Sequence, residues 1–138
     1  MERYADSHVH TTYSAGSFSP DEVARRAKAL GFSAVGICDH DTVRGFPAAV
    51  EAGVVHGIEV LPAIELSTRA DAGQQHILGY YCDGTHPELV AALLRLRQAR
   101  EERMRLMLTK LAELGITVSA DELWSRADGG STPWKSRT

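Results

Sequence analysis

The sequence predicts an α/β fold built from parallel βα units, and three observations carry that expectation. Strand-like and helix-like segments alternate along the first 86 residues. The second strand-like segment, Ser33 to Cys38, is almost wholly apolar, as a strand covered on both faces would be. Helix-start and helix-stop residues fall between the strands where crossovers need them.

Taken in order, the first strand runs from about Tyr4 to His10 and gives way to a polar loop, Thr11 to Phe18. Ser19-Pro20-Asp21-Glu22 then opens a helix: Ser19 as N-cap, Pro20 in the first turn, Glu22 completing a capping box. Val23, Ala27 and Leu30 share a face, and Gly31 stops the helix. The second strand ends in Asp39-His40-Asp41. A second helix spans Phe46 to His56 and closes at Gly57. Ile58 to Ile64 reads as a third strand, with Pro62 as a point where it could break, and it ends in Glu65-Leu66-Ser67. A turn bearing Gly and Gln leads to a further strand, Gln75 to Cys82.

From Pro87 to about Leu114 the pattern is helical, with Leu89, Leu93, Leu96, Met107, Leu111 and Leu114 at alternating four-and-three spacing. Unbroken, such a helix is roughly 42 Å long, and its charged centre leaves room for a break. Ser119 to Glu122 reads as another capping box, opening a short helix with Leu123 and Trp124. Residues 128–138 lack periodicity and are expected to be mobile. The expected organisation is thus 1–86, 87–127 and 128–138.

The chain has 138 residues, enough for one domain with a real core. A formal net charge of -3 gives no general electrostatic case for binding nucleic acid, and no stable duplex binding is expected. Cys38 and Cys82 form no C-x-x-C pair, as suits free thiols in a reducing compartment. The first residues lack an apolar signal core and no segment is long enough to cross a bilayer, so no membrane partner and a cytoplasmic location are expected.

The chemistry is concentrated in histidines. His8 and His10 are separated by one residue, so on a strand both imidazoles leave the same face, close enough to share or bridge a metal ion. Functional groups of parallel α/β folds gather beyond the carboxyl ends of the strands. His40 follows the second strand and Glu65 the third. His76 lies near the start of the next strand, so that segment must bend back to bring it in. His8, His10, His40, Glu65 and His76 are therefore the candidate ligands. Asp6, Asp39 and Asp41 are candidates for orienting a ligand imidazole by accepting its other N–H. His56 and His86 read as surface or helix-end histidines.

Arg100 falls on the expected apolar stripe, where a charge is normally avoided. One reading has Arg100, with Arg103, reaching a substrate phosphate through its guanidinium fork. The other has a helix break, or an ion pair with Glu101 or Glu102.

Asp6-Ser7-His8-Val9-His10-Thr11, Cys38-Asp39-His40-Asp41-Thr42, Ile64-Glu65-Leu66-Ser67 and Gln75-His76-Ile77-Leu78-Gly79-Tyr80 resemble the successive motifs of the PHP (polymerase and histidinol phosphatase) family. Within it the chain is most similar to the stand-alone branch acting on nucleotides, 3',5'-nucleoside bisphosphates or short 5'-phosphorylated RNA. The resemblance implies the N-terminal part of a distorted (β/α)7 barrel followed by a helical insertion. It implies two or three divalent ions (manganese, zinc or iron, with magnesium as an alternative). His8, His10, Glu65 and His76 would serve the main pair, Glu65 bridging, and His40 the third ion. The implied reaction is hydrolysis of a phosphate ester by metal-activated water, with a nucleotide or short RNA end as substrate.

Two departures qualify this. The family usually has Ser-Asp-Gly after the first motif, its Asp ligating the third ion; here the run is Ser14-Ala15-Gly16, so that site should be weakened. The family barrel also continues with strands that supply another histidine and an Asp-x-His pair, which nothing in 115–138 replaces. The chain is therefore expected to be a truncated form with weak activity, and an open sheet edge offers a route to oligomers. A non-catalytic metal-binding or assembly module, and an amidohydrolase-type C–N hydrolase, stand as alternatives.

Overall fold

A computed structural model of the chain describes residues 3–71, 73–121 and 123. The elements are β1 (Ala5–Val9), α1 (Pro20–Ala29), β2 (Ala34–His40), α2 (Phe46–His56), β3 (Glu59–Ala70), β4 (Gly73–Tyr80) and α3 (Pro87–Glu113). Two compact units meet between Val90 and Ala91, within α3.

The first unit is a four-stranded sheet in the order β1-β2-β3-β4. β1, β2 and β3 are mutually parallel, joined by crossovers that contain α1 and α2. β4 runs antiparallel to β3. Too few residues separate Ala70 from Gly73 for a crossover, which takes a dozen or more, so the chain can only turn back as a hairpin. Gly73, with φ 115°, takes a backbone conformation open to glycine.

Both helices contribute to one core. Val23, Ala24 and Ala27 of α1 and Ala49 and Ala52 of α2 pack with Val35 and Ile37 of β2 and with Ile58. The small alanines let the helices sit close to the sheet, and burying this apolar surface is the main term holding the layers together. α1 begins as the sequence indicates: Ser19 Oγ accepts the Glu22 N–H, and the Glu22 carboxylate accepts the Ser19 N–H. α2 ends at Gly57 in the left-handed conformation, φ 62°. Two polar ties join the helical segments, His56 Nε2 to Asp21 Oδ1 at 2.7 Å and Lys28 Nζ donating to Gly57 O at 2.6 Å.

Two strand and helix expectations need correction. β3 does not break at Pro62 but continues for 12 residues to Ala70. The proline costs one donor in the ladder, while its carbonyl still accepts the Tyr81 N–H at 2.9 Å. α3 is likewise unbroken over 27 residues, about 40 Å.

The second unit carries most of α3. Its less exposed stripe runs through Leu93, Leu96, Arg97, Glu101, Met104, Leu108 and Leu111, whereas Met107 and Leu114 are exposed. The expected Leu96–Met107 register therefore shifts by one residue in the second half. The Arg97–Glu101 ion pair, 3.2 Å at i,i+4, carries the stripe through the charged centre. Arg100 falls off the stripe, which removes the reason to expect a break. After α3, Ser119 O accepts the Leu123 N–H, as at the start of a helix. Glu122, Trp124 and the 128–138 tail lie outside the described residues.

Candidate metal centre

The site begins with an irregularity in β1. Asp6 pairs with Val35 and Val9 with Ile37, so three steps on β1 match two on β2. This is a bulge, which re-aims the side chains that follow it. Opposite lies Gly36, where a Cβ would sit 2.4 Å from Ser7 O. The Ser7 carbonyl accepts from Cys38 Sγ at 3.3 Å and from the Tyr80 hydroxyl at 2.8 Å. Asp6 Oδ1 accepts the backbone N–H of His8 at 3.2 Å. The bulge thus presents His8, and His10 follows just beyond the strand, the two ring centroids 5.1 Å apart.

The other strands bring their groups to the same point. His40, the last residue of β2, is paired in register with Glu65 of β3. β4 pairs His76 with Ser67, two residues beyond Glu65 on β3. The antiparallel hairpin is therefore what bends His76 back. Glu65 is 4% exposed and sits among four imidazoles. Its Oε2 lies 2.9 Å from His8 Nε2, 3.0 Å from His10 Nε2 and 3.3 Å from His40 Nε2, and its Oε1 lies 2.7 Å from His76 Nδ1. His10 and His40 stack at 4.7 Å, and His40 and His76 meet edge-on at 4.9 Å.

Burial pushes the Glu65 carboxyl up, but the His8 hydrogen bond, the His40 and His8 charges and the His76 hydrogen bond outweigh it. The group titrates below its usual range. Burial is the chief reason that His40 titrates below its usual range. Glu65 and Asp41 oppose this, and the like charges of His10 and His76 reinforce it. The His40 Nδ1 atom is buried without a hydrogen-bond partner among the described residues.

A second network supports the cluster from the loop after β1. Asp39, 3% exposed, accepts from the Thr11 N–H at 2.8 Å, the Thr11 hydroxyl at 2.6 Å and the Ser14 hydroxyl at 2.6 Å. Ser14 Oγ also lies 3.4 Å from His10 Nδ1. Gly16 permits this tight loop, because a Cβ there would be 2.2 Å from His10 O. On the other side, Asp41 adopts the left-handed conformation, φ 50°. Its N–H donates to Glu65 O at 3.0 Å, and its Oδ1 accepts the Ser67 N–H at 2.8 Å. Asp41 thereby grips the β3 backbone at Glu65 and two residues beyond it.

The structure brings together all five candidate ligands from the sequence: His8, His10, His40, Glu65 and His76. The three carboxylates lie one step further out. Asp6 holds the His8 backbone, Asp39 reaches His10 through Ser14, and Asp41 holds the Glu65 strand. Arg100 and Arg103 are exposed residues of α3 in the second unit. Ala15 is an exposed loop residue. Sequence reasoning did not single out Thr11, Ser14, Gly36 or Tyr80. The polar run after the first strand was a signal for Thr11 and Ser14; nothing local marks Gly36 or Tyr80.

The donor set suits a divalent cation. Two groups, His8-His10-Glu65 and His40-Glu65-His76, each hold their ligand atoms within 4.8 Å of one another, and Glu65 belongs to both. Imidazole nitrogens with a carboxylate are the donor mixture favoured by zinc, manganese and iron. Among the described residues no helix is long and apolar enough to cross a membrane.

The relatives carry related chemistry. The chain is 37% identical over 132 residues to a 5'-3' exoribonuclease of Haemophilus influenzae, covering 96% of this chain and 48% of that protein. It is 35% identical over 111 residues to a 3',5'-nucleoside bisphosphate phosphatase of Chromobacterium violaceum, covering 80% of this chain and 39% of the relative. The chain thus spans about half the length of the curated relatives it matches. Among solved structures, a proposed metal-dependent phosphoesterase of Bifidobacterium adolescentis superposes with a TM-score of 0.86 at 26% identity, over 95% of this chain and 46% of that one. The α/β sheet described above accordingly fits the N-terminal part of the barrel that the sequence resemblance implied. The PHP domain profile matches residues 6–117, most of the chain, and the chain belongs to the PHP family.

Proposed function

We propose that this chain carries the metal-binding part of a phosphoesterase that hydrolyses a phosphate ester of a nucleotide or of a short 5'-phosphorylated RNA. The observation that carries the reading is the buried carboxylate of Glu65, shared between two donor groups. In the proposal His8, His10, Glu65 and His76 hold a pair of manganese, zinc or iron ions, and His40 serves a further, weaker site. Bound ions would supply Lewis acidity toward a phosphoryl oxygen and would acidify water.

The residues of the chain do the rest. Ser14 has one hydroxyl proton, and Asp39 takes it at 2.6 Å. Toward His10 the hydroxyl is then an acceptor, so Nδ1 carries a ring proton and Nε2 is the nitrogen left to face the cluster. That nitrogen lies 3.0 Å from Glu65 Oε2, and its electron pair would be available to a bound cation. Asp41 fixes the height of Glu65, and Asp6 fixes the backbone of His8. Substrate contact by Arg100 and Arg103 belongs to the proposal, as does the division at residue 86 with 87–127 as a helical insertion. The names of the exoribonuclease and bisphosphate phosphatase relatives support a small phosphorylated substrate.

Phosphate release from AMP and from a 3',5'-bisphosphate, with and without manganese, tests the reading. Manganese-dependent release that His10→Ala abolishes is the expected result. Metal binding without release would favour a non-catalytic module, and ammonia release from amides a C–N hydrolase.

A further inference from the structure

Tyr80 lies outside the donor set, and its position is unusual for a residue with no part in the site. β1 and β4 are the two edges of the sheet and share no ladder. The Tyr80 hydroxyl nevertheless donates to Ser7 O at 2.8 Å, joining residues 73 apart in sequence. Ser7 lies in the β1 bulge immediately before His8. On β4, Tyr80 pairs with Ala63, two residues before Glu65, and alternation places it on the same face as His76. The residue is 38% exposed, among the more exposed large side chains, so apolar burial alone does not account for its placement.

We infer that Tyr80 is a positioning residue for the metal centre. Its hydroxyl straps β4 to the β1 bulge, and this sets the separation at which His8 and His76 reach the two oxygens of one carboxylate, 2.9 Å and 2.7 Å away. The second donor to Ser7 O, Cys38 Sγ at 3.3 Å, comes from the strand between them and is the weaker hold. The inference rests on the metal reading of the cluster. It adds that a side chain ties the two edge strands together, beyond the ladders that run between them.

Tyr80→Phe removes only the hydroxyl. The test titrates cobalt(II) into the 138-residue chain, following its visible absorption, and records circular dichroism melts without metal. Tyr80→Phe should fold and melt within a few degrees of the parent, bind cobalt roughly tenfold or more weakly, and show an altered cobalt spectrum, as loss of an outer support does. Tyr81→Phe, whose hydroxyl lies 3.4 Å from Glu59 Oε1, should change neither affinity nor spectrum. Unchanged affinity and spectrum in Tyr80→Phe would overturn the inference and leave the metal centre standing. So would a Tyr80→Phe chain that fails to fold without metal, since the residue would then serve folding. A parent chain that binds no cobalt, or a His8→Ala chain that binds as well as the parent, would instead overturn the metal reading itself.

Discussion

Ser14 Oγ lies 2.6 Å from Asp39 Oδ1, so one small hydroxyl links a buried carboxylate to an imidazole of the cluster. Hydrogen bonds to a charged group contribute more than neutral ones, and a buried carboxylate that loses one is left partly unsolvated. Ser14→Ala is expected to destabilise the chain by about 1–3 kcal/mol and to weaken metal binding as well. Urea denaturation with a manganese titration checks both. Equal stability and equal affinity would show that water replaces the hydroxyl at no cost.

Gly36 leaves room for the β1 bulge. A methyl group there would meet Ser7 O at 2.4 Å and Ser7 Cα at 3.0 Å, both backbone atoms that cannot rotate away. Gly36→Ala should cost about 1–3 kcal/mol through overpacking. It should also remove most of the thermal stabilisation given by manganese, because the displaced segment carries His8. A variant that melts and binds like the parent would mean that β1 moves freely.

At Asp41 a left-handed backbone and a carboxylate hydrogen bond are both required. Asparagine tolerates that backbone and keeps an acceptor; alanine offers neither advantage. Asp41→Ala should lose about 1–2 kcal/mol from the backbone conformation alone, whereas Asp41→Asn should stay close to the parent. The comparison is read from denaturation midpoints, and identical midpoints for the two variants would remove the argument.

The capping box of α1 predicts a pH dependence. The Ser19 backbone hydrogen bond, then its hydroxyl, hold the Glu22 carboxyl below its ordinary 4.5, with Arg26 and Arg25 adding to the effect against slight burial. A lowered carboxyl contributes stability that is present above its unfolded value and is lost as pH falls through the folded one. The difference in urea midpoint between the parent and Glu22→Gln should therefore be visible at neutral pH and shrink as the pH falls below 4.5. A difference that grew on acidification would have the wrong sign.

Much of this was legible in the sequence because local signals agreed. Ser19, Pro20 and Glu22 fix where α1 starts, Gly57 fixes where α2 stops, and the apolar run of β2 admits only a buried strand. The candidate ligands His8, His10, His40 and Glu65 could be named because the parallel strands deliver them to one predictable end. Three features depended on information that no local window holds. The direction of β4 follows from the brevity of its connection to β3, which is clear only once the full length of β3 is known. The shifted stripe of α3 depends on an ion pair replacing two apolar residues at Arg97 and Glu101. The contact between Tyr80 and Ser7 joins residues 73 apart and has no spacing to betray it.

All the donors of the cluster fall between His8 and His76, ahead of the long helix. A ribosome adding residues in order makes that whole set before α3. On the proposed metal reading, capture of an ion would call on no donor from the long helix or from the residues made after it.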